Sequence, residues 1–295
     1  MYLGIDWGGT FIKIGLVKRR KIVKKIVFSS QQLLKKEVFL KELDELKKRI
    51  SFNFKAVGIG APGIVDIEKG FIYYLPNVKG WEGFPLKEKL EEIFKLPVFV
   101  DNDANLFGLG ELKAGVAKGK KRVIFLTLGT GVGSSIGWNG EILRGKMSAF
   151  ELGHVPMTLK GRKCSCGSSG CIESFVGAKF IQKKYYRLKR EKIEVKEIYM
   201  RAKNNEKEAL LAWQDFGYYL GRFLSGMINI FNPEMVVLGG GISGAFSVFK
   251  KPLFVTIKKY TMWPNLKGLE IKKAKLKDSA VIGASILAEE NLRKE

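Results

Sequence analysis

Histidine occurs once in this chain, at His154, and cysteine only three times, at Cys164, Cys166 and Cys171. An odd, small number of cysteines excludes the disulfide framework of a secreted mini-protein. Arginine is scarce as well: only 11 of the 52 cationic residues are Arg, against 29 Asp and Glu, for a net charge of +23. That charge invites a nucleic-acid or membrane reading. The lysines are scattered from Lys13 to Lys294 with no long block of one sign, and Arg is the residue suited to forked phosphate contacts. A Lys-coated, solvated surface of the kind enriched in heat-adapted proteins is the better account, and it would also draw in an anionic small substrate. No apolar run approaches the roughly 20 residues that span a bilayer. Nor does Met1-Tyr2-Leu3 open a signal peptide. The expectation is a cytoplasmic protein with neither a membrane nor a nucleic-acid partner. At 46% hydrophobic and 27% charged residues, 295 residues are enough for one large domain or two modest ones.

The chain is organised as two units that begin alike. Tyr2–Trp7 and Phe11–Lys18 read as strands joined at Gly8-Gly9-Thr10, a hairpin signal, with Ile22–Phe28 a third strand. Glu37–Ile50 and Pro85–Phe94 carry helical spacing, Lys55–Gly60 and Leu96–Val100 read as strands, and Ala61-Pro62-Gly63 is a turn. The pattern restarts with strands Val123–Leu128 and Ser134–Trp138 around Gly129-Thr130-Gly131-Val132-Gly133. Helices are expected over Ser174–Leu188 and Glu206–Ile230, strands over Met235–Leu238 and Leu269–Leu276, and a last helix N-capped by Asp278. These patterns predict two α/β lobes.

Three glycine clusters stand at strand ends: Gly8-Gly9-Thr10, Gly129–Gly133 and Gly239-Gly240-Gly241. Glycine lets backbone N–H groups approach an anion, and Thr10 and Thr130 add hydroxyls. None is a Walker loop or a dinucleotide fingerprint. One cluster is explained by a tight turn; three in two lobes point to a bound nucleotide. Asp6 beside the first turn would repel phosphate unless it holds a Mg²⁺ bridging the phosphates. Asp101-Asn102-Asp103-Ala104-Asn105 follows a buried strand, where α/β proteins present ligand-contacting groups. A carboxylate there is placed to accept a proton from an attacking hydroxyl; helix capping is the bland alternative and explains one of these polar residues.

All the cysteines and the only histidine fall between 154 and 171. Cys₃His is the ligand set of a closed, structural zinc site, and glycines 161, 167 and 170 permit tight turns. Glu151 and Glu173 flank it, so the metal would anchor a loop presenting two carboxylates.

In this order the segments resemble the ROK (repressor, open reading frame, kinase) family of sugar kinases, over nearly the whole chain. Asp6-x-Gly-Gly-Thr10-x-x-Lys13 resembles its first phosphate motif; Ala61-Pro62-Gly63 and Pro76-Asn77-Val78-x-x-Trp81 its sugar loops; and Asn102-Asp103-Ala104-Asn105 the catalytic segment. Glu151-x-Gly153-His154 and Cys164-x-Cys166-Gly167-x-x-Gly170-Cys171-x-Glu173 match its sugar and zinc motifs, and Leu238–Ser243 its nucleotide-side turn. The resemblance implies an actin-like ATPase (ribonuclease H-like) fold of two α/β lobes with a cleft between them. It places a small lobe over 1–103, rejoined by a helix over 278–295, and a large lobe over 104–277 carrying the zinc loop 154–171. It implies ATP, Mg²⁺ and structural Zn²⁺, and transfer of phosphate to the 6-hydroxyl of a hexose, foremost glucose. Asp103 would be the general base. Gly63, Asn77, Asn102, Glu151, His154 and Glu173 would bind sugar. Asp6, Gly8, Gly9, Thr10, Lys13, Gly129, Thr130, Gly131, Gly133, Gly239, Gly240 and Gly241 would hold nucleotide, and His154, Cys164, Cys166 and Cys171 zinc. A homodimer or homotetramer is expected. Mannose, fructose, N-acetylglucosamine and N-acetylmannosamine remain alternative substrates. A sugar-responsive regulator is the rival class, disfavoured because only five residues precede Asp6 and leave no room for a DNA-binding domain. The sequence departs from the family pattern at Trp7, for an aliphatic residue, and at Phe150, for a small one.

Overall fold

Apolar residues at alternate positions, Leu3, Ile5 and Trp7 and then Ile12 and Ile14, face one core in the computed structural model. The structure describes residues 1–50, 53–75, 80–148 and 150–294. The alternation builds β1 (Tyr2–Trp7) and β2 (Phe11–Lys18), paired antiparallel with Asp6 opposite Lys13. There follow β3 (Lys21–Ser29), α1 (Lys36–Arg49), β4 (Val57–Ala61), the hairpin β5 (Ile64–Asp66) and β6 (Phe71–Tyr74), α2 (Leu86–Phe94), β7 (Val98–Asn102) and α3 (Asp103–Lys113). The sheet order is β3-β2-β1-β4-β7, with β1, β4 and β7 parallel. Trp7 belongs to the core: it stacks on Phe39 at 4.6 Å and meets the Trp81 ring edge-on at 4.6 Å.

The chain continues through β8 (Val123–Leu128), β9 (Val132–Trp138), β10 (Glu141–Leu143), α4 (Glu173–Val176), α5 (Ala178–Lys189), α6 (Val195–Lys203), α7 (Lys207–Phe231), β11 (Met235–Gly239), α8 (Phe246–Tyr260) and β12 (Glu270–Lys273). It ends in α9 (Ser279–Leu292). The second sheet runs β10-β9-β8-β11-β12, with β8, β11 and β12 parallel. Each sheet is thus ordered third, second, first, fourth, fifth among its own strands. Two units result: residues 1–121, 135–150 and 274–295 form one, and 122–134 and 151–273 the other. Among the described residues no helix is long and apolar enough to cross a membrane.

Glycine sets how closely α9 packs in the first unit. A Cβ at Gly58 would lie 1.9 Å from the Ala284 carbonyl oxygen, and one at Gly110 only 2.1 Å from that of Ser279. Gly110 therefore lets α3 lie against α9 rather than breaking it. The polar segment at 101–105, expected at the end of a buried strand, ends β7 and begins α3. The helix expected over Ser174–Leu188 is interrupted at Gly177, where a Cβ would stand 3.0 Å from the Thr130 carbonyl oxygen. The strand expected over Leu269–Leu276 shortens to β12. Asp278 occupies the N-cap position of α9 without capping it, because its carboxylate turns to the Lys25 ammonium, 2.8 Å away.

Candidate functional site

In the first unit, the β1–β2 turn is closed by the Gly8 N–H on the Phe11 carbonyl at 3.0 Å. Ser30, which the sequence did not single out, braces it by donating its hydroxyl to the Gly8 carbonyl at 2.7 Å, and its N–H bonds the Thr10 carbonyl. Asp6 and Lys13 are cross-strand neighbours, so their side chains share a face; Lys13 Nζ lies 3.7 Å from Asp6 and 3.9 Å from Asp278. Burial pushes the Asp6 carboxyl up to about 6, Lys13 opposing the shift and Asp278 adding to it. A buried carboxylate with this little compensation fits a divalent cation, as expected of a Mg²⁺ ligand.

Asn102 and Asp103 stand where β7 passes into α3. The Asn102 side chain caps α3, accepting from the N–H groups of Ala104 and Asn105 at 2.8 and 3.2 Å. Its amide donates to the Gly63 carbonyl at 2.9 Å, so the 61–63 turn and the strand end, both expected to touch sugar, are tied together. Gly63 sits at φ +81° in that turn. Asp103 occupies the first turn of α3, accepting from the Ala104 N–H at 2.8 Å. Capping and packing thus account for Asn102 and, through bonds described below, for Asp101 and Asn105. Asn77 lies outside the described residues.

In the second unit, the Leu152–His154 turn is held by the Leu152 N–H on Ser134 Oγ at 2.9 Å. Gly153 is required there, since a Cβ would meet the Val132 carbonyl oxygen at 2.3 Å. Burial raises the Glu151 carboxyl above its ordinary value, His154 opposing and Glu173 adding. Glu173 opens α4 with both oxygens engaged: Ser165 Oγ donates to one at 2.7 Å and the Val132 N–H to the other at 3.0 Å. Glu173 is thereby fixed on the 129–133 turn, where the Gly129 carbonyl accepts from the Ala178 N–H at 2.9 Å. Gly133 lies within β9. Gly240, at φ +76°, closes over β8, a Cβ there reaching the Leu128 carbonyl oxygen at 2.3 Å. By contrast a Cβ at Gly9, Gly129 or Gly241 would meet nothing within 4 Å, and none has a positive φ. The fold does not demand glycine at those three positions, and their backbone stands bare.

The zinc ligands expected from sequence come together. The donor atoms of His154, Cys164, Cys166 and Cys171 all lie within 4.8 Å of one another. Thiolates at about 2.3 Å from a tetrahedral zinc stand roughly 3.8 Å apart. The Cys166 and Cys171 sulfurs are 3.8 Å apart, and Cys164 Sγ is 3.4 Å from His154 Nδ1. Burial, with the neighbouring thiols, holds the Cys171 thiol up at about 12, while the Ser168 backbone N–H lowers Cys166. Such a cluster becomes a set of thiolates when a cation shares it. The donor set and its spacing fit zinc.

Comparison with known proteins agrees with this geometry. The ROK family profile matches residues 2–291. A glucokinase of Halalkalibacterium halodurans is 36% identical, covering 98% of this chain and 95% of its own. A xylose repressor of Caldicellulosiruptor bescii is 30% identical, covering 95% of this chain and 75% of its own. Among solved structures, a ROK family glucokinase from Streptomyces griseus in complex with glucose and AMPPNP superposes with a TM-score of 0.87 at 27% identity, covering 98% of this chain and 99% of that one. The fold is the actin-like ATPase (ribonuclease H-like) fold expected from the motifs, and the chain belongs to the ROK family.

Proposed function

We propose that this protein is an ATP-dependent hexose kinase that converts glucose to glucose 6-phosphate. The observation that carries this reading is the junction of β7 and α3, where Asp103 stands in the first turn of α3 and the Asn102 amide is tied to the Gly63 carbonyl. Asp103 takes the proton of the 6-hydroxyl as that oxygen attacks the γ-phosphorus; the new O–P bond forms as the bond to the β–γ bridging oxygen breaks, releasing ADP. Phosphoryl transfer asks a protein chiefly for alignment and charge neutralisation. Gly63, Asn77, Asn102, Glu151, His154 and Glu173 hold the sugar hydroxyls, with His154 Nδ1 turned to Cys164 and Nε2 left for sugar. The bare backbone of Gly8-Gly9-Thr10, Gly129–Gly133 and Gly239–Gly241 receives the triphosphate. Asp6 would hold Mg²⁺, which when bound supplies charge neutralisation at the phosphates; Lys13 stands beside it. His154 and the three cysteines would hold zinc, whose work there would be to fix the loop that brings Ser165 to the Glu173 carboxylate. Glucokinases among the relatives and a glucose- and AMPPNP-bound neighbour support the reading.

The test is a coupled assay of ADP release with Mg-ATP against glucose, mannose, fructose, N-acetylglucosamine and N-acetylmannosamine. The expected result is the highest kcat/KM for glucose. A preference for another sugar transfers the name and keeps the mechanism. Asp103→Ala is expected to lower kcat by about 10²–10⁴-fold while glucose still binds; near-normal kcat removes the general base. The xylose repressor match favours one second reading, a sugar-responsive regulator. It would be carried by sequence-specific DNA binding together with silence across the sugar panel.

A further inference from the structure

We propose that Arg144 is a positioning residue for phosphoryl transfer: through the buried carboxylate of Asp101 it fixes the β7–α3 junction on which Asp103 stands. This rests on the kinase reading above. Asp101 is completely buried. Arg144 Nε and Nη2 both donate to its Oδ2, at 2.9 and 2.7 Å, while Arg144 Nη1 donates to the Ile142 carbonyl at 3.2 Å. The other oxygen, Oδ1, accepts from the Asn102 N–H at 2.7 Å and from Asn105 Nδ2 at 2.8 Å. One carboxylate therefore gathers four donors from both sides of Asp103 and from a segment 43 residues away.

The bonds continue outward from there. Asn105 Nδ2 also donates to the Ser148 carbonyl at 2.5 Å. Ser148 in turn clasps Val65, its N–H on the Val65 carbonyl and its hydroxyl accepting from the Val65 N–H, each at 3.1 Å. Three segments of the first unit, 63–65, 101–105 and 142–148, are thereby set against one another. Nδ2 carries the bonds of the Asn105 side chain to Asp101 and Ser148, while Oδ1, in a residue only 1% exposed, finds no donor among the described residues. The amide is oriented to bridge Asp101 and Ser148 rather than to satisfy itself.

Stability alone does not call for this arrangement, because replacing a buried ion pair by apolar groups of similar volume is often neutral or stabilising. What a charged, four-donor node supplies is direction. Alignment is where phosphoryl transfer is most sensitive, and a displacement of about 1 Å can cost about a hundredfold. The residue type agrees. A chain that covers its surface with Lys places one of its 11 Arg here, and only the guanidinium makes three directed bonds from one plane.

The experiment uses the full chain with Mg-ATP and glucose. Wild type is compared with Arg144→Lys, which keeps the charge and loses the fork, and with the pair Asp101→Asn/Arg144→Met, which leaves no buried charge unpaired and so remains folded. Calorimetric titration of glucose counts folded, sugar-binding molecules. The expected result is about one glucose per chain in every variant and an ATP KM within about threefold of wild type, with kcat lower by about tenfold for the Lys variant and about a hundredfold for the pair. A residue that merely supported the fold would lower glucose stoichiometry and kcat together. Either variant binding one glucose per chain with kcat within about twofold of wild type overturns the proposal. A wild-type chain inactive on every sugar removes the kinase reading and this inference with it; an active wild type with an unimpaired Lys variant removes this inference alone.

Discussion

Asp6 shows how a single side chain can be placed against the stability of its own fold. β-alternation sets it opposite Lys13, and burial raises its carboxyl from an ordinary 3.8 to about 6. The sign follows from proton counting. Between pH 3.8 and 6 the folded chain holds a proton that the unfolded chain has released, so stability falls as pH rises through that window and stays lower above it. A shift of this size corresponds to a cost on the order of 2–3 kcal/mol at neutral pH. Asp6→Asn is therefore expected to raise the melting temperature of the ligand-free protein by several degrees at pH 7, to leave it unchanged near pH 3.5, and to abolish turnover. Scanning calorimetry at the two pH values checks it. An equal gain at both would mean that burial of the charge is not the cause. Lys13 retains Asp278 as a partner in that variant, so no cation is stranded.

At the scale of elements, the cysteine loop between 154 and 171 is held at its base, where the Met157 N–H bonds the Gly170 carbonyl and Arg162 lies over the Phe175 and Phe180 rings, while its tip has less support. Cys166 is exposed, and the Cys164 N–H bond to the Ser168 carbonyl at 2.8 Å spans only the loop itself. Its far end nonetheless carries Ser165 to the Glu173 carboxylate. About one zinc per chain is expected by elemental analysis. Stripping the metal with a chelator, or Cys166→Ser, should open 160–171 to proteolysis and raise the KM for sugar well before the rest of the chain melts. A metal-free protein with an intact loop and full activity would contradict the assignment. The Cys₃His cluster was legible because scarce residue types fall within one short stretch, and the hairpins because period-two alternation is a local signal. α3 was not: its sequence carries two glycines, poor helix formers, and the approach of α9, some 170 residues away, explains Gly110. α8 hid behind Pro252, within the helix. The Arg144–Asp101 pair is equally non-local, although one Arg in a Lys-rich chain was a usable hint. The site's motifs could be read in order; the bonds that hold them in register could not.

For the whole molecule the governing quantity is charge. The excess of 52 cations over 29 anions cannot be neutralised internally, and exposed pairs such as Lys48–Asp44 and Arg49–Glu45 contribute at most about 1 kcal/mol each. Salt weakens both those attractions and the net self-repulsion, and with +23 the repulsion is the larger sum. Raising NaCl from about 10 to about 300 mM, which shrinks the screening length from about 30 Å to under 10 Å, should therefore raise the melting temperature. The same screening removes the long-range pull on an anionic nucleotide, so kcat/KM for ATP should fall over the same range while kcat holds. The two readouts move in opposite directions only if one diffuse positive field underlies both. A melting temperature that falls with salt would show local ion pairs outweighing the net charge. An ATP kcat/KM indifferent to salt would mean that the lysines face away from the path of the nucleotide and serve only to keep the surface solvated.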